Sequence, residues 1–222
     1  MTLREAALVA GIGYLVSFVF SFGNTLRDKL VVRGDAAATA SNIRASESRF
    51  RVGIATWVVT LAADLVVAWA LYFLLKPVSE SLSLLTAWLR LVYVAIAALP
   101  VINLLLVPLL LSSADDPGGT QPVQRDAQAT LLLRSFDFGL NVGFVFFGLH
   151  ILGLGYLIVR SDYVPTVLGV LLIVTSVAYL IDSFACFLSS SYENNKAHSL
   201  VFAIPAIISE FSLTVWLLIW GG

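Results

Sequence analysis

Six stretches of this chain are apolar over the roughly 20 residues that a helix needs to cross a bilayer: Ala6 to Phe22, Val52 to Leu75, Leu82 to Leu111, Phe138 to Val159, Val164 to Leu188 and Leu200 to Trp220. Hydrocarbon offers the backbone no hydrogen-bond partners, so such runs must satisfy their N–H and C=O groups internally, as helices do. An all-α polytopic membrane protein of about six transmembrane helices is therefore expected, organised as a single integral membrane domain over residues 1–222. Composition agrees, with 59% of residues hydrophobic, 12% charged and a mean hydropathy of +0.93, more apolar surface than a soluble core can hide. Arg4 precedes a stretch of signal-peptide length, but no small-residue cleavage site follows before Phe22-Gly23-Asn24, so the first run is expected to remain as a helix.

Thirteen Lys and Arg stand against 14 Asp and Glu, which leaves no basic field for nucleic acid and no acidic tail for a cationic partner. The single cysteine, Cys186, excludes an internal disulfide framework and any multi-Cys motif. Two histidines, His150 and His198, are too few for a three-His zinc site. No phosphate-cradling loop or nucleophile elbow occurs, so neither a metal nor a cofactor is expected. The expected partners are the lipid bilayer and a small-molecule or lipid ligand; a homo-oligomer is compatible with so small a chain.

The polar segment Asn24 to Arg51 holds Gly34-Asp35 ahead of an alanine-rich run, in which Asp35 is a good N-cap. A helix from there either lies along the membrane surface or runs on into the second span with a bend near Gly53. Asp115-Asp116-Pro117-Gly118-Gly119 predicts a loop, and Pro122 to Leu133 a second surface helix before the fourth span. Tight connections are expected at Lys76-Pro77, Ser161-Asp162 and Glu193 to Lys196. Pro100 and Pro108 predict a kink or tilt in the third span, with Asn103 near the freed carbonyls.

Alternate loops divide the cations nine to three: Arg27, Lys29, Arg33, Arg44, Arg49, Arg51, Arg125, Arg134 and Lys196 against Arg4, Lys76 and Arg160. The positive-inside rule then places both termini on the extracytoplasmic face of the cell membrane. Trp57 is expected in one interfacial aromatic belt, with Tyr72, Tyr156, Tyr163, Trp216 and Trp220 towards the other.

Ionisable side chains at membrane depth are costly and mark candidate sites. Taking Pro77 as the apex of a hairpin, Asp64 lies thirteen residues before it and Arg90 thirteen after, each about 20 Å down its helix at ~1.5 Å per residue. Level and of opposite charge, they predict an ion pair, which either fixes helix register or forms part of a site. The same ruler puts His150 and Glu210 in the central zone, with Asp137, Asn141 and Asp182 nearer the cytoplasmic side. His150 is either a hydrogen-bonded core histidine or a proton-transfer group. Glu210 has no counter-charge on its own helix and is the best single candidate for a group that takes and releases a proton. Asp137, three residues after Arg134, reads more simply as an interfacial ion pair. Gly139, Gly143, Gly148, Gly153 and Gly155 give the fourth span a thinly covered face suited to close helix packing.

Several blocks together resemble a family of bacterial and archaeal integral membrane proteins called domain of unknown function 4386. They are Gly34-Asp35-Ala36-Ala37-Ala38-Thr39-Ala40 with Asn42-Ile43, Phe146-Phe147-Gly148-Leu149-His150 with Gly155-Tyr156-Leu157, Ser161-Asp162-Tyr163-Val164-Pro165 with Leu168-Gly169, Tyr179-Leu180-Ile181-Asp182-Ser183, and Glu210 leading into Leu213 and Trp216-Leu217-Leu218. The resemblance implies a multi-span fold and carries no activity with it. Three functions stay open on the residues: small-solute or proton-coupled transport through a polar intramembrane cavity, a membrane-embedded enzyme using carboxylates and His150 on a lipid or isoprenoid, and a non-catalytic scaffold or stress-related partner.

Overall fold

The computed structural model describes residues 1–112, 121–189 and 196–221. The described residues form seven α-helices: α1 (Leu3–Asp28), α2 (Ala36–Ala45), α3 (Glu47–Leu75), α4 (Glu80–Ser112), α5 (Pro122–Val159), α6 (Thr166–Leu188) and α7 (Lys196–Gly221). Of these, α1, α3, α4, α5 and α6 are long and apolar enough to cross a membrane, and α7 adds the apolar stretch Ile204–Trp220. The protein is thus an all-α, multi-pass membrane protein. The expected loop at Asp115 to Gly119 and the turn at Glu193 to Asn195 lie outside the described residues.

Asp35 caps α2 by accepting from the Ala38 N–H at 2.8 Å, and Gly34 just before it takes φ +81°, a left-handed turn that a side chain would disfavour. Thr39 bonds back to the Val32 and Asp35 carbonyls, and Asn42 donates to Leu30 O at 3.2 Å, tying α2 to the chain that leads into it. The helix ends at Ala45 with Ser46 as its C-cap, so α2 is a separate element that does not run on into the second span, and α3 starts afresh at Glu47. The segment expected as a second surface helix is helical but not separate, because Pro122 opens α5 and the helix runs unbroken to Val159. Pro at the first helical position costs no hydrogen bond, and no breaker follows it before the apolar stretch. Prolines 100 and 108 likewise lie inside a continuous α4.

The chain divides into two compact units. Unit 1 comprises Met1–Val16, Ala63–Ala95 and Asn141–Gly222; unit 2 comprises Ser17–Ala62 and Ile96–Leu140.

In unit 1, glycines let helix backbones touch. A Cβ on Gly155 would lie 2.7 Å from Gly169 O, and one on Gly169 would lie 2.7 Å from Gly155 O, so α5 and α6 cross backbone to backbone. Gly153 faces the Thr86 side chain of α4, and Gly11 of α1 faces Leu218 of α7. The α3–α4 hairpin is tied by Lys76 to Glu80 at 2.9 Å, and the neighbouring carboxylate holds the Lys76 ammonium above its ordinary range. Tyr163, in the α5–α6 connection, donates its hydroxyl to the Leu74 carbonyl.

In unit 2, Gly139 of α5 meets Pro100 of α4, and Gly23 of α1 meets Thr56 of α3. Trp57, expected in an aromatic belt, packs inside this unit. It is buried edge-on against Phe136, with ring centroids 5.3 Å apart, beside an Arg27 guanidinium that stacks 4.5 Å above the same phenyl ring.

Candidate functional site

The hairpin that makes Asp64 and Arg90 level also turns them towards each other: Arg90 Nη2 donates to Asp64 Oδ1 at 2.6 Å, with the two residues 1% and 4% exposed. The α5 and α1 helices complete the surroundings of the guanidinium. Its Nη1 donates to the Tyr14 hydroxyl at 2.9 Å and lies 3.1 Å from His150 Nε2. Tyr14 and Phe147 present their rings to the guanidinium carbon at 4.8 and 5.4 Å, so the cation is held in its plane by bonds and on its faces by aromatic quadrupoles. Arg90 Nε is enclosed without an acceptor.

The tautomer of His150 follows from its neighbours. Its Nδ1 lies 2.8 Å from the Thr86 carbonyl, which can only accept, while Arg90 can only donate. The proton therefore sits on Nδ1, Nε2 accepts from Arg90, and the imidazole is neutral in this arrangement. His150 is 1% exposed and both ring nitrogens are engaged.

Glu210, on α7, is held differently. Its Oε1 accepts from the Tyr179 hydroxyl of α6 at 3.1 Å, and it enters no ion pair among the described residues. An aromatic layer joins the two groups: Phe147 contacts Tyr179 edge-on at 5.2 Å and Tyr93 at 4.8 Å, while Phe144 stacks near Tyr93 at 6.2 Å. Across this layer Glu210 lies within electrostatic range of Arg90 and Asp64. Next to it, Thr175 of α6 and Ser209 of α7 share a hydrogen bond of 2.9 Å, and Thr175 also reaches Pro205 O at 3.1 Å.

The structure thus gathers Asp64, Arg90, His150 and Glu210 in unit 1. Asn141 and Asp182, both half-buried, also belong to unit 1. Asp137 belongs to unit 2, where it accepts from Arg27 Nη2 at 3.3 Å, with Asp28 on the same nitrogen at 2.6 Å. Among the described residues no group of three or more His, Cys, Asp or Glu side chains gathers in a way that could hold a metal ion. Sequence reasoning missed Tyr14, Thr86 and Tyr179. Tyr14 and Tyr179 are hydroxyl-bearing aromatics away from the ends of their helices, a signal that was legible. Thr86 takes part through its carbonyl, which no side-chain motif reveals.

Residues 9–221 match the family described as domain of unknown function (DUF4386). An uncharacterised protein from Archaeoglobus fulgidus is 30% identical over 158 residues, which cover 71% of this chain and 76% of the archaeal one. No solved structure matches.

Proposed function

This chain belongs to the DUF4386 family, and from that premise we propose that it moves a small solute across the membrane in a proton-coupled cycle in which Glu210 carries the proton. One observation carries the proposal: two carboxylates and one guanidinium lie within electrostatic range of one another, Asp64 and Arg90 buried and Glu210 half-buried, and the guanidinium is committed to Asp64 at 2.6 Å. Glu210 is left with a phenol, so its charge must be balanced by a proton or by a cationic solute. Arg90, clamped by Tyr14, Asp64 and His150, is the fixed element against which that change of charge is felt. Tyr179 keeps the Glu210 carboxylate oriented in either protonation state, since its hydroxyl can donate to the anion or accept from the acid.

The pairing on every side of His150 favours a second reading, a non-catalytic membrane partner whose polar residues fix helix register. It also argues against the imidazole as the acid or base of a lipid-modifying enzyme, because neither nitrogen is available to a substrate without breaking a bond.

Purified protein in liposomes loaded with a pH-sensitive dye separates these readings. Wild-type protein is expected to pass protons when a solute screen reaches the right substrate. Glu210→Gln should lower that flux by about tenfold or more at unchanged folding, and Tyr179→Phe should lower it less. Absence of flux from both proteins across a broad screen would support the register-fixing partner instead.

We place both termini outside the cytoplasm, on the nine-to-three division of cations between alternate loops. In a Cys186→Ser background, a cysteine at the exposed Asp162 should react in whole cells with a membrane-impermeant maleimide, and one at the exposed Arg49 should not. The reverse pattern would invert the topology.

A further inference from the structure

The described arginines of unit 2 differ in how their charge is met. Arg27 holds Asp28 at 2.6 Å and Asp137 at 3.3 Å, and Arg44 takes Asp126 at 2.6 Å. Arg125 is only 5% exposed, yet it enters no ion pair among the described residues and its Nε is enclosed without an acceptor. The adjacent acid, Asp126, is already taken by Arg44. A buried guanidinium without a counter-charge is strongly unfavourable, and such groups are expected to find an anion.

A groove lies against α5 within about two turns of Arg125. It has a volume of about 520 Å³ and is lined by Leu106, Leu109 and Leu110 of α4 and by Gln128, Leu131 and Leu132 of α5. At 3.6 residues per turn, Leu132 stands about 20° around the helix from Arg125 and about 10 Å further along it, and Gln128 stands about 60° around and about 5 Å along. Five leucines offer an occupant nothing but hydrocarbon contact, whereas the planar fork of a guanidinium that meets no carboxylate among the described residues suits a phosphate. An occupant that satisfies both is amphiphilic, with an acyl chain at one end and an anionic headgroup at the other. Nine cations on the proposed cytoplasmic side would draw anionic lipids to that surface.

We propose that the α4–α5 groove of unit 2 binds an anionic phospholipid, its headgroup phosphate on Arg125, its ester region at the Gln128 amide and one acyl chain along the leucines. Native mass spectrometry of the full chain in detergent, titrated with phosphatidylglycerol, phosphatidylcholine or inorganic phosphate, tests this. Wild-type protein should hold phosphatidylglycerol about fivefold more tightly than phosphatidylcholine, the size expected of one cation at a lipid surface. Arg125→Gln should bring the two lipids to parity, Arg125→Lys should keep most of the preference, and inorganic phosphate should compete weakly. Leu109→Trp, at a side chain exposed on the groove, should weaken both lipids, and it keeps the test decisive if Arg125→Gln does not fold. An unchanged preference in Arg125→Gln, or inorganic phosphate competing as well as the lipid, would overturn the proposal. So would unaltered lipid retention in Leu109→Trp.

Discussion

Replacing Asp64 by leucine is expected to destabilise the protein by about 3–5 kcal/mol, because it leaves Arg90 charged and enclosed with only neutral partners. Tyr14, His150 and the faces of Tyr14 and Phe147 orient the guanidinium, but none carries the negative charge that offsets its desolvation. The double variant Asp64→Leu/Arg90→Met should recover much of the loss, since it removes both charges and keeps comparable volume. What remains should be about 1–3 kcal/mol, the cost of leaving His150 Nε2 and the Tyr14 oxygen without their donor. Folded fraction against SDS mole fraction in mixed micelles reads both numbers. Equal losses in the single and double variants would mean that packing at these positions, and not the buried charge, sets the cost.

The second large effect lies where α5 and α6 cross. A side chain on Gly155 would meet Gly169 O at 2.7 Å and Ile173 N at 3.0 Å, and one on Gly169 would meet Gly155 O at 2.7 Å and Val159 N at 2.9 Å. These obstacles are backbone atoms, which no rotamer change can move aside. Even Gly155→Ala is therefore expected to force the two helices apart, with a loss of about 1–3 kcal/mol, and Gly155→Val should be worse. Gly148→Ala makes the useful contrast. Its nearest obstacles are the Leu180 side chain at 3.2 Å and the Tyr179 Cβ at 3.3 Å, and the leucine can yield. The same SDS titration should rank Gly155→Ala well below Gly148→Ala, and comparable stability of the two would show that the crossing tolerates separation. Because Tyr179 lies on α6, displacement of that helix should also loosen the Tyr179–Glu210 hydrogen bond.

Parts of the site were legible in advance for a simple reason. The rise per residue of an α-helix is a local constant, so counting from the Lys76-Pro77 turn sufficed to bring Asp64 level with Arg90. The same counting put His150 and Glu210 near that level. It gave no information about rotation around each helix axis, and so could not tell which hydroxyl or carbonyl each group would meet. Tyr14 reaches Arg90 across 76 residues of sequence, and Tyr179 reaches Glu210 across 31. Elsewhere, polarity misled. The change from polar to apolar near Leu133 read as a boundary between two helices, but α5 passes through it because nothing in Pro122 to Phe138 breaks the backbone. Trp57 read as a membrane-interface anchor, yet it fills the interior of unit 2 against Phe136.

What the sequence by itself determined was the helical, multi-pass class, because lipid leaves the backbone no partners but its own, and the caps and turns that bound the helices, because these depend on local residues such as Asp35 and Gly34. Tertiary structure alone decided which face of each helix is inside. In water a buried face declares itself by an apolar stripe, but in lipid both faces are apolar: Leu99 and Trp88 of α4 are exposed, while Leu104 and Val107 of the same helix are buried. Helical phase therefore had to come from packing, through the Gly155–Gly169 crossing and the bonds that converge on Arg90 from three other helices.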